Sequence, residues 1–193
     1  YKTDYTNAFR LANPRGIPLT SYVITNEVGG TGRLTWDQIK EMRAAGCAIE
    51  DHSATHRHLN TLTEEELHVE MQSVNTAFAS AGLPLPEHIA YPHGSDNIMV
   101  RDVVSQYRET GRDSSGGITE MSWAKTDTLW YRLKSEFVGL QIGDSASTIT
   151  DLIDETIENR QVLILYTHTV SPNPGSNGCN VDRFEEVLDY IVS

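Results

Sequence analysis

The chain has 193 residues, 38% of them hydrophobic and 22% charged, with a formal net charge of −12. That size and mix predict one globular domain over residues 1–193, large enough to bury a real core. The acidic balance excludes nucleic acid and anionic membrane as partners, because both repel it. No apolar run approaches the roughly 20 residues that a membrane span needs.

Strand-like and helix-like segments alternate along the chain. Asp4 to Leu11 predicts a short helix, and Ile17 to Thr25, rich in β-branched and aromatic residues, a strand. Thr35-Trp36-Asp37-Gln38 is a capping box that opens a helix reaching Gly46, and Cys47 to His52 follows as a strand. Thr63 to Glu66 is a second capping box. Its helix carries Leu67, Met71, Val74 and Phe78 on one face and stops at Gly82, with Pro84 beyond.

Next come a strand at His88 to Tyr91, a helix from about Met99 to Thr110, and weaker strands near Gly117 to Glu120 and Leu133 to Val138. A helix over Thr148 to Asn159, an apolar strand over Val162 to Tyr166 and a closing helix over Asp182 to Ile191 complete the pattern. Ser171 to Gly178 is the clear Pro/Gly-rich loop. Such alternation predicts a parallel sheet with crossover helices, and ligands gather at the carboxyl ends of its strands.

Two cysteines make no disulfide framework. Cys47 opens one strand, whereas Cys179 is expected in the loop after the last. Opposite ends of a sheet lie roughly 17–20 Å apart, so both are expected as free thiols.

Three polar segments fall at predicted strand ends. Asp51 to Leu59 carries His52, His56 and His58, three of the chain's seven histidines. His52 and His56 are four apart, so one helical turn would put both imidazoles on one side, where neutral nitrogens could hold a divalent metal. A bare H-x-x-x-H is as readily a solvated loop, but Tyr91-Pro92-His93-Gly94 and Thr167-His168 converge on the same face. Ser53 reads as a turn residue, His58 as a surface residue and Trp36 as helix-face packing. Trp123 and Trp130 are candidates for stacking on sugar rings.

With these residues in place, the chain resembles the polysaccharide deacetylase family, the NodB-homology domains of carbohydrate esterase family four. Gly46 to His56 looks like that family's G-x-E-I-x-x-H-[ST]-x-x-H segment, departing from it in the first positions. Tyr91-Pro92-His93-Gly94 is similar to its third motif and Leu165-Tyr166-Thr167-His168 to its last. Tyr1 to Phe9 looks like what directly follows its first motif, T-F-D-D-G.

The resemblance implies an α/β fold, a distorted (β/α) barrel whose first strand is absent from this chain. It implies metal-dependent removal of acetyl groups from a sugar polymer, extracellularly or at the cell envelope. His52 and His56 would ligate the metal, most readily zinc, with cobalt, manganese and nickel as alternatives. The third ligand and the catalytic base are aspartates of the first motif, which this chain lacks, so the resemblance implies an N-terminally incomplete domain. The backbone N–H at His93, after Pro92, would hold the oxyanion, with Tyr91 also facing substrate. Tyr166 stands where the family usually has a Leu walling the acetyl pocket. His168 would protonate the leaving group, its pKa raised by a carboxylate such as Asp127, and Arg132 would orient the base. Two alternatives stand beside this reading: a catalytically silent carbohydrate- or metal-binding module, and a metallohydrolase acting on a glycolipid or small amide.

Overall fold

A computed structural model describes residues 1–119, 130–141 and 143–193. Trp123, Asp127 and the end of the strand expected near Gly117 to Glu120 lie outside the described residues.

Four strands form the main sheet: β1 (Thr20–Val23), β2 (Ala48–Asp51), β3 (His88–Ala90) and β4 (Thr110–Arg112). They lie in the order β1-β2-β3-β4, every neighbouring pair parallel. A parallel bridge from Arg112 to Leu133 carries the progression toward β5 (Glu136–Phe137), which pairs in parallel with β6 (Leu165–Tyr166). Spatial order that follows chain order without reversal is the winding of a (β/α) barrel; a doubly wound open sheet turns back on itself. Two further short strands, β7 (Thr169–Ser171) and β8 (Gly178–Asn180), pair in parallel around the Pro/Gly-rich loop.

The N-terminal segment is a one-turn π-helix, Asp4–Phe9, running into α1 (Arg10–Ala12). It packs against the last strands, where Asn7 Nδ2 donates to the Val170 carbonyl at 2.5 Å. Both capping boxes form as the sequence predicts. Thr35 caps α2 (Trp36–Ala44) through reciprocal bonds with Gln38, and Thr63 caps α3 (Glu64–Ala81) through the same exchange with Glu66. Gly82 ends α3 in the left-handed region at φ 72°, which only glycine adopts without strain. Ile39, Met42, Val74 and Phe78 pack with Val23 and Ile49 in one core cluster, and Trp36 meets Phe78 edge-on at 5.9 Å. Leu67, Met71, Ile89 and Tyr91 join the buried valines of α4 (Ile98–Val104) in a second.

The helix expected to reach Thr110 stops at Val104. Turns then bring the Arg108 side chain back into the core, and Thr110 begins β4. Gly111 sits in the middle of that strand because a Cβ there would come within 2.6 Å of the Tyr91 ring carbon Cζ. The chain continues through α5 (Ser147–Asn159) and closes on α6 (Val181–Val192). Cys179 lies within β8 rather than in a loop. It and Cys47 are both buried and free.

Candidate active site

The strands deliver the candidate residues by ending where they do. His52 follows β2, Tyr91-Pro92-His93 follows β3, Arg112 ends β4 and His168 lies two residues beyond β6. A cleft of about 880 Å³ opens there, lined among others by His52, His56, His93, Arg112, Tyr166 and His168.

His52 and His56 meet across a loop rather than along a helical turn, their ring centroids 4.8 Å apart. Ser53 and His56 both take positive φ, 61° each, which turns the chain back toward the cleft. Ser53 is the turn residue expected: its Oγ accepts the His56 amide at 2.9 Å. His52 Nδ1 lies 2.6 Å from the Ala90 carbonyl, which can only accept. The proton is therefore on Nδ1, and Nε2 carries the lone pair. A backbone carbonyl fixing the far nitrogen in this way is how metal-binding imidazoles are oriented.

Burial drives His52 down to about 3, with the nearby His56, Arg112 and His168 adding to the effect; His56 is lowered too, by burial and then by His93. Two neutral, converging imidazoles fit a divalent cation. Among the described residues no group of three or more His, Cys, Asp or Glu side chains forms a complete metal site. Two carboxylates, Asp4 and Glu27, line the cleft, and Glu27 pairs with Arg33 at 2.7 Å.

The neutral His52 has a consequence for stability. Below its ordinary value of 6.5 the unfolded chain takes up a proton that the folded ring refuses, so the folded state loses stability as pH falls from 6.5 toward 3. For this group the loss is about 1.4 kcal/mol per pH unit. Urea unfolding of metal-free protein at pH 7 and pH 4.5 should show it, and His52→Gln should flatten the slope. Equal slopes in the two proteins would remove the assignment.

The remaining residues divide. His93 is exposed, stacks on His58 at 3.9 Å and donates from Nε2 to the His56 carbonyl at 3.2 Å. Tyr166 walls the cleft beside His168, 6.0 Å between ring centroids. Tyr91 is among the residues lining the cleft, but its side chain is 2% exposed, packs in the core and donates its hydroxyl to the Tyr131 carbonyl at 2.9 Å. Pro92 is buried and does not line the cleft.

Arg132 is also outside it. Its side chain is half exposed and holds the buried Asp113, Nε to Oδ2 at 3.3 Å. Two arginines line the cleft: Arg33, which pairs with Glu27, and Arg112, packed between the faces of Tyr22 and Tyr166 at 4.8 Å from each, with Nη1 donating to Ser135 Oγ at 3.2 Å. The strand expected in this stretch is near Gly117 to Glu120, whereas β4 is Thr110–Arg112; the polar run Asp113-Ser114-Ser115 directly after Arg112 is the signal for a strand end there. His168 differs as well. Burial, then the charge of Arg112, lower its pKa, where a carboxylate was expected to raise it.

The barrel-type winding of an α/β fold thus gathers histidines from several strand ends around one cleft. The polysaccharide deacetylase profile matches residues 1–111, and the chain belongs to the polysaccharide deacetylase family. It is 29% identical over 133 residues to YxkH of Bacillus subtilis (strain 168), assigned by name as a polysaccharide deacetylase; the match covers 69% of this chain and 46% of that protein. It resembles the Streptococcus pyogenes deacetylase PplD in complex with acetate (TM-score 0.61, 23% identity), over 68% of this chain and 57% of the other. It also resembles a family 4 carbohydrate esterase from Streptomyces lividans in complex with acetate (TM-score 0.61, 17% identity), over 98% of this chain and 83% of the other. These structural likenesses carry the fold. The chain spans about half the length of the curated relative it matches.

Proposed function

We propose that the protein removes acetyl groups, from amide or ester linkage, from a carbohydrate polymer, with His52 and His56 holding a divalent cation and His168 handling the proton. One observation carries the reading: two neutral imidazoles and His168 line a single cleft, and His52 offers Nε2 because the Ala90 carbonyl occupies Nδ1. Zinc best suits a pair of imidazoles; cobalt, manganese and nickel are the alternatives. Bound there, the cation would polarise the acetyl carbonyl and acidify water. The described residues supply two ligands, so the reading requires a third ligand and a carboxylate base besides them.

The protein's own groups divide the remaining work. His168 starts neutral, so it can give a proton to the departing amine or alkoxide only after taking one up; the proton that the carboxylate base removes from the attacking water, passed on to His168, is the source. Arg112, fixed between two tyrosine rings, adds positive charge where the oxyanion develops, and in this reading the backbone N–H of His93, which also lines the cleft, is the second donor. Tyr166 shapes the acetyl pocket. An acetylated glycan is the substrate in this reading.

Acetate release from acetylated chitin oligomers and acetylated xylan by the full-length protein tests it. Release should stop with a chelator and return with added zinc or cobalt; release that chelation leaves untouched would sink the metal reading. Arg112→Met should cut release by about 10²-fold, the scale of a lost oxyanion donor, while Arg132→Met should stay within about threefold. The reverse ranking would restore Arg132 to the site.

A further inference from the structure

The loop that carries the two histidines is held by a side chain from another element. Glu70 lies in α3 on the face otherwise made of Leu67, Met71, Val74 and Phe78, and is itself buried, 6% exposed. A carboxylate on such a face is costly unless its oxygens are hydrogen-bonded. Both are. Oε2 accepts the Ala54 amide at 2.9 Å and the Thr55 amide at 3.0 Å, and Oε1 accepts the Thr55 hydroxyl at 2.5 Å.

These bonds complete a series. The Ser53 amide donates to Asp51 Oδ1 at 2.6 Å and the His56 amide to Ser53 Oγ at 2.9 Å, so four consecutive backbone N–H groups end on side-chain oxygens. Those at the two ends are closed locally, by residues two and three positions away. The central two depend on Glu70, 15 and 16 positions away. The same four residues include both non-glycine positive-φ positions of the loop, a conformation that persists only where the surroundings over-determine it. From α3, Glu70 therefore fixes the middle of a strained turn whose two ends carry the imidazoles.

We propose that Glu70 is a positioning residue that sets the spacing of His52 and His56 for a shared cation. The inference rests on the metal-binding reading of those histidines. Cobalt binding to the full-length protein, followed by its visible absorption, tests it alongside amide hydrogen exchange and thermal unfolding. Glu70→Ala should weaken cobalt binding about 10–100-fold, the scale of an outer-shell partner. It should also speed exchange at Ala54 and Thr55. Glu70→Gln keeps one acceptor oxygen for the amides, and should recover most of the affinity and the wild-type spectrum; it also serves if the alanine variant does not fold. Val74→Ala, on the same buried face but without a hydrogen bond to the loop, should lower the melting temperature with cobalt affinity unchanged. Wild-type affinity in Glu70→Ala, or an equal loss in Val74→Ala, would overturn the proposal and leave Glu70 a plain structural residue. A wild-type protein that binds no cobalt would overturn the metal reading instead, and unchanged exchange at Ala54 and Thr55 in Glu70→Ala would then overturn the clasp on its own.

Discussion

Arg108→Met is expected to cost about 3–5 kcal/mol of stability, the loss typical of breaking a buried ion pair from one side. Arg108 and Asp51 are both fully buried, with Nε and Nη2 of the guanidinium 2.8 and 2.7 Å from one carboxylate oxygen. Asp51 ends β2 directly before His52, and burial already pushes its carboxyl up to about 6 against the pull of Arg108. Without the guanidinium, the carboxyl must take a proton or stay charged without a counterion. For a chain of this length the melting temperature should fall by roughly 10 °C. Adding Asp51→Asn should return part of the loss, because it removes the charge left behind. By contrast, Arg183→Met, which breaks an exposed pair with Glu186, should change stability by less than about 1 kcal/mol. A loss at Arg108 no larger than that at Arg183 would show that the pair does not hold this end of β2.

The second large effect is on chemistry. His52→Ala should abolish tight cation binding and lower acetate release by about 10³-fold or more, since Lewis-acid stabilisation is worth several kcal/mol and each 1.4 kcal/mol is a factor of ten. Stability at pH 7 should drop far less than in Arg108→Met, because the ring lines a cleft rather than filling the core. That split between lost activity and kept fold separates a ligand from a packing residue. His52→Ala with wild-type turnover would place the chemistry elsewhere.

Much of this was legible in the residues. The two capping boxes at Thr35 and Thr63 formed as read, because an N-cap hydroxyl and a side chain three residues on settle their bonds locally. The histidine segment, placed at a strand end by the alternation, does line the cleft. What escaped depended on longer range. β4, β7 and β8 have three residues each, too few for periodicity to register. The helix expected to reach Thr110 ends at Val104, and the overrun covers the start of β4, so Arg112 falls just past the expected helix with no strand to place it at the cleft. The charge of His168 is set by burial and by Arg112, neither visible along the chain. Glu70 reads as one more polar residue of an amphipathic helix until the loop it grips is seen.

Anomalous diffraction from crystals of the full-length protein, soaked in zinc and measured on both sides of the zinc edge, tests the central claim most directly. The account predicts one strong peak within bonding distance of Nε2 of His52 and of a ring nitrogen of His56, in the cleft that His168 lines. Zinc bound elsewhere, or those two rings left bare in zinc-loaded crystals, would contradict it.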